Sequence, residues 1–551
     1  MSLEYFNKAS RPSLRGELSQ KAFDLLVIGG GITGASIFRD AALRGLKTAL
    51  LEARDFGSGT SSRSSKLIHG GLRYLRRLGL RLAWESCQER NLHIRLNKRL
   101  VRPVAFLMPH YQGQGRSPAV TRIGMLLYEV LSGFSNHRFH RFLKREEVLS
   151  MAPGLPIEGL LGGCRYYDAA VSDNRWTLET VKDGVRQGGI ALNYAPAIRL
   201  IKQNHTVAGA RFRDAIGGAE GEIRARAVIN ATGVFVDGIR RLDDPGARPL
   251  VRLSKGTHLV FKEDDVPLAV TTVFASPVDG RPLFLHKRDG CFLFGTTDDW
   301  EPGPPEAPLP GQKDVTYLLE SLRRFLPEAG LNRDKVQFLY SGFRPLLASP
   351  SARGGPAAAT REDLIEEAPS GLISVVGGKL TTARRMAARA LDRVIDRLGP
   401  RPSWRPCSTH KLSLGGTNSE VAEGLARWVK RCPPLAGYFR ILHDRYGVDA
   451  GQICAEAMRI ELGRREDPET EPIRAEVEYV CRHEMVCTVE DLLERRAGFL
   501  YWSPERRLER LRYGENLIQR ELGLTEEEFE AQFRDYREHL ARFHSLPAGS
   551  G

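Results

Sequence analysis

Nowhere does this sequence hold the roughly 20 consecutive apolar residues that a membrane-spanning helix needs, so no such helix is expected. Cysteine is sparse: eight residues lie between Cys87 and Cys487, and none forms a CxxC pair. The closest two, Cys481 and Cys487, lack metal-ligand spacing, and His483 is the one histidine between them. A zinc site and a disulfide framework are therefore poorly supported, and no metal is expected. The thiols read as reduced structural residues of a cytosol-facing protein. Residues 1–20 are polar and lack the apolar centre of a secretory signal. They read as a flexible lead-in.

Acid is also short relative to base. The 551 residues carry 81 Lys and Arg against 67 Asp and Glu, a net charge of +14. The excess is local: Gly71 to Arg145 holds 15 Lys and Arg against three acids, Glu85, Glu89 and Glu129. A basic face of this kind attracts phosphate, whether in nucleic acid, in an anionic membrane surface or in a phosphorylated metabolite. No nucleic-acid module or stacking platform accompanies it, so nucleic acid is not expected. With 42% hydrophobic and 27% charged residues, the chain has an ordinary globular composition, with room for about three domains.

What is present begins at Asp24. Leu25-Leu26-Val27-Ile28 reads as a buried parallel strand. It meets Gly29-Gly30-Gly31-Ile32-Thr33-Gly34, a helical stretch from Ala35 to Arg44, and a second strand ending in Glu52. In that context the glycines have separate tasks. Gly29 permits the tight turn, Gly31 lets backbone approach a pyrophosphate, and Gly34 lets helix and strand pack closely. Glu52 is placed to accept from ribose hydroxyls. Two further strand ends, at Thr232-Gly233 and at Gly377-Gly378, would converge on the same ligand in a parallel sheet. This layout favours FAD over NAD. The expected fold is α/β: a Rossmann-like FAD-binding domain with an inserted β-rich substrate domain and an all-α C-terminal domain. The FAD-binding segments are expected at about 21–100, 165–250 and 340–405. The substrate-binding segments fall at about 101–164 and 251–339. From about 406 to 551 the periodicity is helical, with Thr488 and Thr525 as N-cap signals.

The stretch Thr60-Ser61-Ser62-Arg63-Ser64-Ser65-Lys66-Leu67-Ile68-His69-Gly70-Gly71-Leu72-Arg73-Tyr74-Leu75 resembles the signature of the FAD-dependent glycerol-3-phosphate dehydrogenases, the respiratory enzymes of the aerobic route. Lys255-Gly256-Thr257-His258, Gly295-Thr296-Thr297-Asp298, Tyr340-Ser341-Gly342-Phe343-Arg344-Pro345-Leu346 and Gly377-Gly378-Lys379-Leu380-Thr381-Thr382 agree in order and spacing. The resemblance implies noncovalent FAD. It also implies hydride transfer from C2 of sn-glycerol 3-phosphate, giving dihydroxyacetone phosphate, and electron delivery to quinone. It places Arg73, Tyr74, His258, Arg344, Arg361 and Lys379 in the substrate pocket, with His258, Arg344 and Lys379 carrying the chemistry. Cofactor contacts are expected from Gly29, Gly31, Gly34, Glu52, Ser61, Ser62, Ser65, Lys66, His69, Gly70, Thr232, Gly233, Gly378, Leu380 and Thr381.

The residue types suit the task. Convergent cations hold a phosphate dianion, and their field favours loss of the C2 hydroxyl proton. The base needs a pKa near the working pH, which points to His258. A deprotonated lysine, or a water relayed through Tyr74, remains an alternative. Arg344, set between Gly342-Phe343 and Pro345, calls for a ligand anion or a carboxylate partner. Arg361 is followed by two acids, Glu362 and Asp363, which could weaken it as a phosphate ligand. Ile123–Phe134 fits either a core helix or shallow insertion into an anionic bilayer, and the resemblance favours insertion at the inner face of the cytoplasmic membrane. A homodimer also fits. A second reading keeps the fold and changes the substrate to another hydroxy acid or an amine, or the acceptor to oxygen. A third is a flavin-binding scaffold without turnover.

Overall fold

The computed structural model describes residues 3–72, 79–113, 117–301, 303–348, 356, 359, 361–463, 471–496 and 514–547. Two sheets organise the first 400 residues. In the first, parallel strands run in the order Leu372–Gly377, Glu220–Asn230, Ala22–Ile28, Thr48–Leu51 and Ile190–Leu192. Asp363–Glu367 adds an antiparallel edge, and the ribbon Ala197–Gln203 with Thr206–Arg213 extends from the long strand Glu220–Asn230. Leu25, Leu26 and Val27 are fully buried, as expected for a strand covered on both faces. Helices Ile32–Leu43, Asp173–Arg186 and Ala383–Leu398 flank this sheet.

The second sheet is antiparallel apart from one parallel pair. Its path runs through Asp299–Trp300, Val251–Lys262, Cys291–Gly295, Pro282–Arg288, Thr271–Ala275, Val101–Tyr111, Leu160–Val171 and Leu67–Ile68. Val336–Leu347 pairs with Val251–Lys262 along almost its whole length. Two boundaries therefore move. Residues 165–171 and 340–347, expected in the FAD-binding segments, belong to this second sheet, because their backbone bonds go to its strands. The helical region contains Asn418–Arg431, Ala436–Tyr446, Ala450–Gly463, Glu471–His483, Glu515–Leu522 and Glu526–Phe543. Thr417 and Thr525 each complete a capping box with the glutamate three residues on.

The flexible lead-in expected at the N-terminus is not what the chain forms. Arg11–Gln20 is a helix that buries Leu14 and Leu18, and the preceding Phe6 stacks on Phe56 with ring centroids 5.9 Å apart. Arg11 is itself buried and bonds Asp214 at 2.6 Å and Asn193 at 2.8 Å. A short apolar set inside a polar segment was enough to dock it.

Buried charge joins the helical region to the first sheet. Arg496 holds Asp55 through two bonds of 2.7 Å, and Arg495 adds a third at 2.5 Å. Arg175 and Lys182 hold Glu484 from the other side at 2.5–2.7 Å. Asp55 lies three residues beyond Glu52, and the next residue, Phe56, packs beside Gly30. The C-terminal region thus grips the loop that follows the second strand of the dinucleotide unit.

Candidate functional site

The glycine turn Gly29–Gly31 connects the strand Ala22–Ile28 to the helix Ile32–Leu43. A Cβ on Gly29 would stand 2.6 Å from Ala231 O, and one on Gly34 would stand 1.8 Å from Gly29 O. No other residue type fits at either position. The helix is thereby drawn onto the strand end, with its N-terminal N–H groups facing the C-terminal edge of the sheet. Gly233 lies at the neighbouring strand end at φ +59, and nothing lies within 4 Å of where its Cβ would be. This edge, open beside a helix N-terminus, fits a dinucleotide such as FAD.

The second half of the site is built by strand register. His258 pairs with Tyr340 and Ser254 with Arg344, with Gly256 opposite Gly342 between them. Directly paired antiparallel residues, and those two apart, share a face. His258, Tyr340 and Arg344 therefore project from one surface, with glycine at both intervening positions. The gap is used: a Cβ on Gly256 would stand 2.2 Å from Arg344 Nη2, so the guanidinium lies across that glycine.

His258 is 4% exposed, stacked on Tyr340 and hydrogen-bonded through Nε2 to Ser65 Oγ at 2.9 Å. Its Nδ1 has no hydrogen-bond partner among the described residues. Burial, with further repulsion from Arg344, Lys66 and His286, pushes its pKa down to about 3. The expectation of a titration near the working pH therefore does not hold for this state. The imidazole is neutral and able to take a proton, but it is a weaker base than an exposed histidine.

Arg344 Nη1 is 3.1 Å from Asp298 Oδ1, and Arg361 Nη2 is 3.1 Å from Asp298 Oδ2. One carboxylate bridges the two arginines. Ser254 Oγ donates to the same Oδ1 at 2.5 Å, and Arg344 Nη2 donates to Thr296 Oγ1 at 3.1 Å. Arg361 comes from a loop more than 15 residues beyond Arg344, and Asp298 touches both.

Residues 24–384 match the family described as FAD dependent oxidoreductase, and residues 407–529 match the C-terminal domain of alpha-glycerophosphate oxidase. An aerobic glycerol-3-phosphate dehydrogenase of Bacillus subtilis is 32% identical over 508 residues, covering 90% of this chain and 91% of that protein. Its namesake in Staphylococcus aureus is 32% identical over 503 residues, covering 90% of each. A solved glycerol-3-phosphate dehydrogenase of Bacillus halodurans, complexed with FAD, superposes with a TM-score of 0.80 at 30% identity, covering 97% of this chain and 98% of that one. The chain belongs to the FAD-dependent glycerol-3-phosphate dehydrogenase family. It is an FAD-dependent oxidoreductase with an α/β Rossmann-like FAD domain and an all-α C-terminal domain.

Within this family member, several expected site residues take other partners. Lys66 is fully buried, and its Nζ bonds Asp173 at 2.7 Å and the Ser62 carbonyl, so its side chain is committed to the protein. Ser65, expected at the cofactor, is bonded to His258. Glu52 accepts the N–H groups of Gly30 at 2.6 Å and Arg54 at 2.8 Å, bracing the turn it was expected to serve through ribose. Ser61 Oγ accepts the Ile32 N–H at 2.9 Å, at the helix N-terminus. The Ser62 hydroxyl donates to the Gly59 carbonyl at 3.3 Å. Gly70 is packed against Tyr128 and Cys87 and donates to Asp168 at 3.0 Å, which gives it a structural reason to be glycine.

Thr232 Oγ1 bonds Asn230 at 2.7 Å at the strand end. Gly378, at φ +70, approaches Met386, and Leu380 and Thr381 form a turn leading into Ala383–Leu398. Lys379 precedes that turn and its Nζ donates to Ser86 Oγ. His69 is half-buried. Arg73 and Tyr74 lie outside the described residues. Sequence reasoning passed over Asp298, Tyr340 and Gly256, although all three stand inside the quoted segments. Gly256 carried a signal, a glycine two residues before a histidine, whereas Asp298 stands in a stretch without a cation, Gly295 to Glu301, and carried none. In a cavity that Tyr340 also lines, Glu494, His539 and His544 bring one ligand atom each within 4.8 Å of one another. Arg63 and Arg495 line the same cavity and oppose a cation there.

The open alternatives for Ile123–Phe134 also divide. Pro118–Leu131 is a helix burying Thr121, Met125, Tyr128 and Glu129, so it is anchored in the protein. Its opposite face is apolar too: Ile123 is 71% exposed and Leu126 60%, beside exposed Val120, Val130, Phe134 and Phe139. An ordinary core helix would not present these residues to water. No helix among the described residues is long and apolar enough to cross a membrane.

Proposed function

We propose that this enzyme oxidises sn-glycerol 3-phosphate to dihydroxyacetone phosphate and passes the electrons to a membrane quinone. The observation that carries the reading is the shared sheet face: a neutral, buried imidazole at His258, with the Arg344 guanidinium lying over Gly256. Gly256 is two residues from His258, about 7 Å along the strand. That span suits a substrate whose phosphate and reacting carbinol are a few bonds apart. Two relatives that this chain matches over nine-tenths of its length are named aerobic glycerol-3-phosphate dehydrogenases, which supports the same substrate.

FAD would be held by the turn Gly29–Gly34, by the strand ends at Thr232-Gly233 and Gly378, and by the backbone of Leu380-Thr381; when bound, it supplies the hydride acceptor. The chain's own residues do the rest. Arg344 and Arg361 bind the phosphate dianion, with Lys379 and the matched positions Arg73 and Tyr74 completing the pocket. Their field favours ionisation of the C2 hydroxyl. His258 receives that proton, and the Ser65 hydroxyl accepts the Nε2–H of the resulting imidazolium. A phosphate beside Arg344 offsets one of the charges that depress His258, so substrate binding raises the pKa of the base that must act on it.

The apolar outer face of Pro118–Leu131, flanked by exposed Arg122, Arg138 and Arg141, is the surface we assign to an anionic bilayer. Shallow insertion there places the enzyme at the inner face of the cytoplasmic membrane, within reach of a lipid-soluble acceptor. Steady-state turnover with sn-glycerol 3-phosphate and a short-chain quinone, with dihydroxyacetone phosphate assayed as product, tests the whole reading. Product formation with the quinone supports it, and reduction of oxygen alone would remove the acceptor claim.

A further inference from the structure

We propose that Asp298 is a positioning residue for substrate phosphate, setting the separation and orientation of Arg344 and Arg361. The inference rests on the substrate reading above. The two arginines come from different elements, one on the strand Val336–Leu347 and one beyond it in the loop at 361, and nothing in the sheet register spaces them. Asp298 gives one carboxylate oxygen to each, at 3.1 Å in both cases. It is held in turn by the Ser254 hydroxyl, which occupies a fully buried position in the paired strand. Thr296 and the Thr297 carbonyl fix the other edge of the Arg344 guanidinium.

The neighbouring acids do different work. Asp314 and Glu301 pair with Lys255 at 3.2 and 3.1 Å, and Asp314 also accepts from Thr297 Oγ1 at 2.9 Å. Asp298 alone among these three bridges the arginine pair. A bridging carboxylate has two opposed effects on phosphate affinity. It cancels one positive charge, which weakens attraction. It also holds two guanidiniums together that would otherwise repel each other, which preorganises a site of net charge +1. The geometry, with one carboxylate oxygen meeting each arginine, favours preorganisation as the larger effect.

The test is Asp298→Asn in the FAD-loaded enzyme. An amide keeps one acceptor oxygen and loses the other, so one arginine is released. The expected result is a KM for sn-glycerol 3-phosphate raised at least tenfold, kcat within about threefold of wild type, and an unchanged FAD content. The inhibition constant for inorganic phosphate should rise in parallel, which a purely structural defect would not produce. Asp298→Glu, which restores two acceptor oxygens, should recover part of the loss and serves if the amide variant fails to fold. Arg361→Met should cost less in the Asp298→Asn background than in wild type, because both changes remove the same alignment. An unchanged or lowered KM in Asp298→Asn would overturn the proposal. So would fully additive effects of the two substitutions. A wild-type enzyme that ignores glycerol 3-phosphate would instead defeat the substrate reading, and direct binding of inorganic phosphate, measured by calorimetric titration of wild type and Asp298→Asn, would still test the role of Asp298.

Discussion

The imidazole of His258 lies almost parallel to the ring of Tyr340, with centroids 4.8 Å apart and planes 15° from each other. Tyr340 is tied down through its hydroxyl to the Ser64 carbonyl at 2.9 Å, and Ser65, the next residue, holds Nε2. The imidazole is thus fixed from its face through Tyr340 and from its edge through Ser65, both tied to the signature stretch. Replacing His258 with Ala should slow flavin reduction by glycerol 3-phosphate by about 10²–10⁴-fold, the usual worth of a positioned base. Substrate binding should change far less. Rapid-mixing reduction kinetics separate the two, and an unchanged reduction rate would move the base elsewhere.

Arg344→Ala removes the cation that spans Gly256 and leaves Asp298 facing Arg361 alone. Hydrogen bonds to charged groups contribute about 1.5–3 kcal/mol, so KM should rise by roughly one to two orders of magnitude. FAD should stay bound, since no bond of Arg344 reaches the glycine turn. Substrate titration of the variant, with its absorbance ratio for bound flavin, checks both halves. Retained substrate affinity would take Arg344 out of the phosphate site.

Three histidines, His93, His258 and His286, are buried with pKa values pushed down to about 3, desolvation being the main cause in each. The folded state therefore refuses protons that the unfolded chain, with histidine pKa near 6.5, accepts. Their contribution to stability is complete above about pH 6.5 and is lost as pH falls from there toward 3. Near pH 5 the three together give a slope of at most about 4 kcal/mol per pH unit. Urea unfolding midpoints should fall steeply between pH 7 and pH 5. A flat profile across that interval would contradict neutral burial of these side chains.

Ile123 and Leu126 stand out from the helix Pro118–Leu131 and make few demands on its packing. Glutamate at both positions should leave thermal stability and flavin reduction near wild type while abolishing sedimentation with anionic vesicles. The replaced face loses apolar area and gains charge repulsion from the lipid. Equal sedimentation of variant and wild type would place membrane contact on another surface.

Much of this was legible in sequence, and the reasons differ by element. The dinucleotide turn declared itself because Gly29 and Gly34 are steric necessities, visible as residue types at fixed spacing. The parallel strands showed as continuous apolar runs. His258 and Arg344 were found through resemblance, but their shared face depends on the register between two strands some 80 residues apart, which no local pattern reports. Asp298 was invisible for the same reason: its meaning comes from two arginines that reach it across the fold. The N-terminal helix was misread because Phe6, Leu14 and Leu18 are too few to stand out in a polar segment, yet each finds a buried place. The bond of Lys66 to Asp173 was equally hidden, since nothing in the motif reports a partner more than 100 residues away.

Anaerobic mixing of the FAD-loaded enzyme with sn-glycerol 3-phosphate, with glycerol and lactate as controls, tests the central claim most directly. The account predicts that the flavin absorbance bleaches with the phosphate ester alone, and that dihydroxyacetone phosphate appears in equal amount. A yellow protein that glycerol 3-phosphate leaves oxidised, or one bleached equally by glycerol or lactate, would contradict it.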